Sequence, residues 1–448
     1  MRLGRAFLSL QVAEQQRITT YLNQYAISCQ NTTRINERLR AHEKWQRAIV
    51  VPLFAESPSW LDSLPSSTAV DLLVIAVLNR PDHVADLGQN DPLRSRLERI
   101  APPRQGDPFG LARLSNKLSV LWLDLEQLEG ATPSQEGVGR ARRIGFDCAL
   151  SLYAQGRLNS PWIFSSDGDA VIPAALLEAN WSDDAAATTL PFAHFAQGNA
   201  LIDAATDFYE LRLHYYVLGL EYAGSPYAYH TLGSAFAVNA PFYAAVRGIP
   251  LKNAAEDFYM LNKLAKVGRI HRVAGPVVDI ASRVSDRVPF GTGPAVRALV
   301  NTDPSEAPLF YQPQIFNALK MVLQTLQSFD LPPHRWSESL RAASCGDQGL
   351  TDIVPVAIEA LEQLGVADAL THCQRQGRTA RSRAQHFHTW LDGFKTLKFI
   401  HNVRDRGYAN CTLRATQQEL NFWPTRALNT QTLLDAVRRR WLWVGPTN

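Results

Sequence analysis

Two aspartates separated by one glycine follow a short apolar run in the stretch PWIFSSDGDAVIP, residues 161–173. Asp167 and Asp169 carry like charges so close together that they repel each other unless a cation lies between them. Carboxylate oxygens are the ligands that Mg²⁺ and Mn²⁺ prefer, and substrate phosphates often complete the coordination. The pair therefore predicts a divalent metal site that neutralises a diphosphate leaving group. The alternative interpretation is a solvated Asp-Gly-Asp turn.

A second acidic pair, Glu256 and Asp257, stands at the start of a helical pattern in NAAEDFYMLNKLAKVG, residues 253–268. One of these carboxylates is a candidate general base that removes a proton from an acceptor hydroxyl. Helix capping is the competing explanation, because the helix dipole favours acidic residues in the first turn. His271 and Asp279 are candidates for a third metal ligand beside the first acidic pair.

Two further stretches carry candidate site residues, although an ordinary strand end is the alternative for the first. In AIVVPLFAE, Pro52 is expected to end a strand, and Glu56 follows in the loop. In GVGRARRIG, the side chains of Arg140, Arg142 and Arg143 could hold phosphate oxygens through charge-assisted hydrogen bonds. A solvated basic helix face is the alternative for the three arginines.

Four apolar runs, rich in β-branched and aromatic residues, predict strands that are buried on both faces of a sheet. The runs are residues 48–54, 71–79, 118–125 and 161–167. Helical patterns precede and follow the fourth run, and this alternation is typical of an open α/β fold with a single, mostly parallel sheet flanked by helices. Ligands of such sheets bind outside the carboxyl ends of the strands, where Asp167 and Asp169 are expected.

The two ends of the chain are expected to be mainly helical, because they are rich in helix formers and the region from about residue 300 onward lacks strand patterns. We predict an N-terminal helical segment at 1–46, a catalytic domain at 47–298 and a helical C-terminal region at 299–448. The stretch SRVSDRVPFGTGPA, near the second boundary, carries Arg283 and Arg287. It predicts either a loop that closes over a diphosphate or a linker between domains.

Composition places the chain among folded proteins with a sizeable core, since 46% of its residues are hydrophobic and 19% are charged. A net charge of +3 with scattered basic residues gives no reason to expect a nucleic-acid partner. Five cysteines without a C-x-x-C pair favour a reducing compartment. No apolar run is long enough to span a bilayer, so we expect a soluble, cytoplasmic protein. Peripheral membrane contact and a homo-oligomer stay open.

The order of these motifs resembles that of the family 2 glycosyltransferases, which have the A-type nucleotide-sugar fold. In that family the first strand ends in a proline and an acidic loop residue, and a glycine-alanine-arginine helix precedes the D-x-D strand. A Gly-Glu-Asp motif follows and supplies the catalytic base. The corresponding stretches here are VVPLFAE, GRARRIG, SSDGDA and AAEDFYML, within residues 47–290. Ala255 stands where the family has the glycine.

The resemblance implies an enzyme that moves a sugar from a nucleoside diphosphate sugar to a hydroxyl acceptor, with Mg²⁺ or Mn²⁺ as cofactor. It also implies that the sugar carbon inverts by in-line attack. Asp167 and Asp169 would then contact the metal and the sugar diphosphate. Asp257 would be the base, and Glu256 beside it would contact the acceptor or the donor sugar.

The resemblance further places Arg142 near the diphosphate, and Pro52 and Glu56 at the nucleoside pocket. Asn79 ends the second predicted strand where many members have an acid, and its amide can pair with a uracil or a guanine edge. Two alternatives remain. One is a nucleotide-sugar sensor or inactive partner subunit on the same fold. The other is a sugar-phosphate nucleotidyltransferase, which the glycine-free stretch PLFAESPSW disfavours because those enzymes usually have a glycine-rich first loop.

Overall fold

The computed structural model describes most of the chain, and its residues group into two compact units. The described residues are 2–27, 34–35, 37, 43–65, 67–104, 107–182, 184–284, 291–300, 306–327, 329–330, 332–419, 423–426 and 429–442. Unit 1 comprises 1–199, 231–294 and 441–448, and unit 2 comprises 200–230 and 295–440. The break at 294 lies close to the predicted boundary at 298. Residues 200–230, by contrast, group with the helical unit.

Strands and helices alternate through unit 1, whereas unit 2 has helices. The strands are β1 (Arg47–Leu53), β2 (Leu72–Leu78), β3 (Phe109–Arg113), β4 (Leu118–Asp124), β5 (Trp162–Ser165), β6 (Ala170–Val171), β7 (Ala185–Thr189), β8 (Phe192–Phe195), β9 (Phe236–Asn239), β10 (Arg269–Arg272) and β11 (Val278–Ala281). The helices are α1 (Arg2–Gln24), α2 (Asp91–Ile100), α3 (Leu125–Glu129), α4 (Gly137–Ala154), α5 (Ala174–Glu178), α6 (Ala200–Ala223), α7 (Ala240–Ala245), α8 (Glu256–Leu264), α9 (Thr292–Val300), α10 (Pro313–Leu326), α11 (Trp336–Ser344), α12 (Gln348–Gln363), α13 (Val366–Gln376), α14 (Ala380–Trp390), α15 (Gly393–Asp405), α16 (Leu413–Glu419) and α17 (Thr430–Leu442).

Eight of the described strands form one sheet, in the order β10-β7-β9-β5-β1-β2-β4-β3. The strands β5, β1, β2 and β4 run parallel at its centre, and β3 and β9 are antiparallel to their neighbours. All four predicted strands are confirmed, as β1, β2, β4 and β5. Every residue of β1, β2 and β4 is buried, as expected for strands covered on both faces. The predicted α/β class with a large, mostly parallel sheet is confirmed.

The register of the central strands brings their carboxyl ends to one edge of the sheet. Leu53 at the end of β1 pairs with Leu78, and Leu78 pairs with Asp124 at the end of β4. β5 stops earlier, because its last residue Ser165 is level with Val50 in β1. The chain therefore leaves β5 below this edge and has room for the Asp-Gly-Asp turn there.

A second, three-stranded sheet in the order β6-β11-β8 follows the acidic turn. β6 begins directly after Asp169, and β11 pairs antiparallel with it and parallel with β8. The backbone N–H of Ala281 at the end of β11 donates to the carbonyl of Asp169 at 2.9 Å. The chain that leaves β11 thus starts beside the acidic turn, although it is distant in sequence, and it carries Arg283 to that place.

Helix α4 packs on β1, β2 and β5, and two of its glycines allow the close approach. A Cβ atom at Gly145 would lie 2.3 Å from Cγ1 of Val50. A Cβ atom at Gly139 would lie 2.5 Å from the carbonyl oxygen of Lys252. Larger residues at either position would push the helix outward and would displace Arg142, which α4 carries toward the strand ends.

A buried carboxylate on α4 attaches α1 to the rest of unit 1. Asp147 on α4 accepts hydrogen bonds from the hydroxyls of Tyr21 and Tyr243, at 2.6 and 2.7 Å. The backbone N–H of Ile27 donates to its other oxygen at 3.0 Å. Burial raises the pKa of Asp147, and these donors partly oppose the shift. Of the N-terminal segment predicted to be helical at 1–46, residues 2–24 form the helix α1, and the hydrogen bonds to Asp147 hold its end in place.

Replacing Tyr21 with Phe is expected to loosen the attachment of α1. The change removes one donor from a buried carboxylate, and we expect the free energy of unfolding to fall by about 1–3 kcal/mol. Hydrogen exchange of the α1 amides should become faster. Tyr25→Phe is the matched control, because Tyr25 lies on the rim of the same region and is 36% exposed. Unchanged exchange in Tyr21→Phe would contradict this account of the anchor.

The described part of unit 2 is built from helix α6, most of α9, and helices α10 to α17, in agreement with the predicted helical character of the C-terminal region. The stretch HFHTWLDGFKTLKFIH is divided between α14 and α15, because the Asp392 carboxylate caps α15 by accepting from the backbone N–H of Lys395 at 2.9 Å. Glu210 on α6 is fully buried and binds Arg438 on α17 through both oxygens, at 2.7 and 2.9 Å. None of the described helices has the length and apolarity of a membrane span.

Candidate functional site

A buried guanidinium group connects the two acidic motifs. Arg142 is 2% exposed, and its Nη2 donates to Oδ1 of Asp167 at 2.7 Å while its Nε donates to Oε1 of Glu256 at 3.0 Å. Nη1 donates to Oγ of Ser165 at 2.5 Å and to two backbone carbonyls. A buried charge needs such complete pairing. Three of the predicted site residues therefore meet at one point, and Ser165 joins them although the sequence did not single it out.

A second guanidinium group, that of Arg283, connects Glu56 to Asp169. Its Nη1 and Nη2 donate to the two carboxylate oxygens of Glu56, at 3.1 and 2.9 Å. Its Nε lies 2.6 Å from Oδ2 of Asp169. Each aspartate of the Asp-Gly-Asp turn is thus paired with an arginine. The sequence had suggested a loop or a linker around Arg283, and Arg287 lies outside the described residues.

The glycine of the acidic turn lets that turn pack directly on Glu56. A Cβ atom at Gly168 would lie 2.7 Å from Cγ and Cδ of the Glu56 side chain. Any other residue would therefore separate the turn from the loop after β1. This close approach brings Glu56, predicted at the nucleoside pocket, to the same edge as Asp167 and Asp169.

Glu256 and Asp257 begin α8, and their surroundings raise the pKa of both carboxyl groups, although the ion pair with Arg142 favours the charged form of Glu256. Burial is the largest cause and raises the pKa of both. The neighbouring charge of Glu256 adds to this effect and takes the pKa of Asp257 to about 8, against the opposing influence of Arg142. Oδ1 of Asp257 accepts the backbone N–H of Phe258 at 2.7 Å. A carboxylate whose pKa lies close to neutral pH is well matched to general-base catalysis.

The residue before α8, Ala255, has a left-handed backbone with φ of +58°. This conformation costs a residue with a Cβ atom about 1 kcal/mol and costs glycine nothing. We expect Ala255→Gly to keep or raise the free energy of unfolding, by up to about 1 kcal/mol. Ala255→Val should lower it by about 1–2 kcal/mol, because β-branching makes the conformation worse. Urea unfolding checks both values, and equal midpoints for the two variants would contradict the prediction.

Pro52 and Asn79 lie at the ends of neighbouring strands. Pro52 is buried in β1 opposite Val77, and the strand continues one residue past the proline that was expected to end it. A proline is accommodated there because β5 pairs with β1 only as far as Val50, so no ladder partner is lost on that side. Asn79 follows β2 and is 4% exposed.

Asn90 ties the loops after these two strands together, and the sequence had not indicated this role. Its Nδ2 donates to the carbonyl of Asn79 at 3.0 Å, and its Oδ1 accepts the backbone N–H of Ala55 at 2.9 Å. Asn90 precedes α2, a position where asparagine is typical as a helix cap. Its side chain makes no capping hydrogen bond and binds the strand ends instead. The loop that carries Glu56 is thereby fixed.

Asp167 and Asp169 are the described donors whose chemistry suits a hard divalent cation. Their side chains are 33% and 20% exposed, so an ion could reach them. Mg²⁺ keeps several waters and often takes only one or two carboxylates together with substrate phosphates. Within the described ranges, no three or more His, Cys, Asp and Glu side chains are grouped as metal ligands, so neither His271 nor Asp279 joins the pair in such a group. The two carboxylates fit the ion in kind, and further ligands from outside the protein would complete its coordination.

The chain was compared with protein-family models and with curated proteins. No protein-family model matches the chain, and no curated protein matches its sequence. The resemblance to the family 2 glycosyltransferases therefore stays a prediction from the order of the four motifs in the sequence.

Proposed function

We propose that the protein is a glycosyltransferase that moves a sugar from a nucleoside diphosphate sugar to a hydroxyl acceptor. The observation that carries the proposal is the double pairing of Arg142 with Asp167 and Glu256. These carboxylates belong to the two motifs that a glycosyltransferase of this kind needs side by side, one for the diphosphate and one for the acceptor. Their meeting at one buried cation supports a single site better than two unrelated turns.

The acidic turn would hold the diphosphate end of the donor. Asp167 and Asp169 would bind Mg²⁺ or Mn²⁺, which when bound supplies positive charge against the leaving diphosphate. Arg142 fixes the Asp167 side chain through a hydrogen bond to Oδ1, and that bond does not engage its other oxygen. Pro52, Glu56 and Asn79 belong to the same edge in this proposal and would contact the nucleoside.

Asp257 would take the proton of the acceptor hydroxyl. Its pKa of about 8 means that the carboxylate, once formed, binds a proton readily near neutral pH. Glu256 is held by Arg142 and would orient the acceptor or the donor sugar. Attack by the deprotonated hydroxyl from the side opposite the diphosphate would invert the sugar carbon, and NMR assignment of the product anomer tests this point.

A thermal-shift screen of uridine, guanosine, adenosine and thymidine diphosphate sugars, each with Mn²⁺ or with EDTA, tests the proposal. Ligands that bind only the native state stabilise it by mass action and so raise the melting temperature. At a ligand concentration of a hundred times the dissociation constant, the stabilisation is roughly 3 kcal/mol. We expect one base to give a metal-dependent shift that disappears in Asp169→Ala. No shift with any donor, with or without metal, would contradict the proposed function.

Turnover separates the enzyme from the alternatives. Release of the nucleoside diphosphate in the presence of hydroxyl acceptors is expected for a glycosyltransferase. Binding of the donor without consumption would indicate a sensor or an inactive partner subunit. Formation of the donor from a sugar phosphate and a nucleoside triphosphate would indicate a nucleotidyltransferase.

A further inference from the structure

The two arginines of the site are held in different ways. Arg142 is 2% exposed and binds neutral acceptors as well as carboxylates, namely the Ser165 hydroxyl and two backbone carbonyls. The Arg283 side chain is 31% exposed, and its contacts are with the carboxylates of Glu56 and Asp169. Neutral and charged acceptors together fix the position of the Arg142 side chain. The position of the Arg283 side chain depends on its ion pairs with two carboxylates.

The two contacts of Arg283 also differ from each other. Its pairing with Glu56 is bidentate, with two hydrogen bonds of 3.1 and 2.9 Å. Its contact with Asp169 is made through Nε alone, which lies 2.6 Å from Oδ2. Fork-shaped pairing with a carboxylate is the stronger arrangement. The contact with Asp169 is therefore the one that a competing cation would break first.

The net charge of the side chains at this edge of the sheet is negative and could be balanced by a further cation. Four carboxylates contact the two guanidinium groups, and they belong to Glu56, Asp167, Asp169 and Glu256. Two positive charges against four negative ones leave a formal charge of about −2 if all four are ionised. One divalent ion would balance that charge without expelling either arginine from the site.

We propose that Arg283 is the resident counter-cation of the acidic turn, which it holds beside Glu56 until a divalent ion binds and takes over Asp169. The proposal rests on the function proposed above and adds a positioning residue to it. Glu56 keeps the guanidinium after the exchange, so positive charge remains at the edge where a diphosphate would bind. The ion and Arg283 thus compete for one carboxylate, and this competition weakens metal binding in the absence of donor.

Binding of Mn²⁺ alone to the full-length protein measures the competition directly. Free Mn²⁺ can be followed by electron paramagnetic resonance during titration, with no nucleotide present. Arg283→Gln removes the competing charge, and we expect it to bind Mn²⁺ about tenfold more tightly than the wild type. Arg283→Lys keeps the charge but loses the bidentate pairing with Glu56, so we expect its Mn²⁺ affinity to lie between those of the wild type and Arg283→Gln. Arg96→Gln is the matched control, since Arg96 pairs with Asp62 at an exposed place in the same unit.

Unchanged or weaker Mn²⁺ binding by a folded Arg283→Gln, checked by circular dichroism, would overturn the inference. Absence of Mn²⁺ binding to any of the proteins would overturn it too. Donor binding that is equal in EDTA and in Mn²⁺, and is lost in Arg283→Gln, would show that Arg283 itself is the cation for the diphosphate. Tighter Mn²⁺ binding without any response to nucleotide sugars would support the competition and would instead refute the transferase.

Discussion

Replacing Asp257 with Asn is expected to abolish sugar transfer and, at the same time, to raise the melting temperature of the protein. A general base contributes about 10²–10⁴-fold to rate, and the amide cannot accept the proton. The carboxylate is costly to the fold, because burial and the charge of Glu256 raise its pKa from 3.8 to about 8. Release of nucleoside diphosphate and thermal unfolding measure the two effects.

The pH dependence of that stability gain follows from the direction of the pKa shift. Between about pH 4 and pH 8 the folded protein keeps a proton on Asp257 that the unfolded chain has released, so stability falls as pH rises through this window. Asp257→Asn has no carboxyl group at this position and does not lose stability in this way. Its melting temperature should exceed that of the wild type only slightly at pH 5 and by roughly 2–6 °C at pH 8.5.

Asp62→Asn is the control for this prediction, because Asp62 is exposed and its pKa is lowered by its hydrogen bond with Arg96. A lowered carboxyl pKa has the opposite linkage, so this variant should gain nothing at high pH. The wild-type kcat/KM should rise with pH toward about 8 as Asp257 loses its proton. A stability difference between Asp257→Asn and wild type that does not grow with pH would contradict the assignment of the base.

Replacing Arg142 with Met is expected to lower the free energy of unfolding by about 3–5 kcal/mol and to remove donor binding. The change strips the buried Glu256 of its cation, and an uncompensated buried charge is strongly destabilising. It also frees the Asp167 side chain that the proposed function assigns to the diphosphate. Urea unfolding gives the first value, and the thermal shift with the donor gives the second.

A neighbouring arginine on the same helix provides the control for this change. Arg140 is partly exposed and pairs with Glu129 and Glu136, so Arg140→Met should cost about 1 kcal/mol or less. The double variant Arg142→Met/Glu256→Met should recover part of the lost stability, because it removes the orphaned charge as well. Strictly additive effects of the two changes would contradict direct coupling between these side chains.

Hydrophobic pattern was enough to predict the four parallel strands at the centre of the eight-stranded sheet, but not β3, β7, β9 or β10. The runs that became β1, β2, β4 and β5 are continuous and rich in β-branched residues, and such runs are stable only when both faces are covered. Helix α6 was predicted within the catalytic domain, whereas the structure groups it with the helical unit 2. The residue pattern of a helix does not show which core the helix joins. Membership in a unit depends on packing between distant segments, which local pattern does not encode.

The sequence by itself determined the α/β class, the central strands and the place of both acidic pairs, because period and residue type are local properties. Only the tertiary structure decided which charges meet. Arg142 and Arg283 reach their carboxylates from another helix and from beyond β11, and the glycines at 139, 145 and 168 set the distances. The sequence predicted a cation between Asp167 and Asp169, and in the structure the guanidinium groups of Arg142 and Arg283 pair with these two carboxylates. A metal ion cannot be inferred from spacing alone, because an arginine far along the chain can supply the same charge.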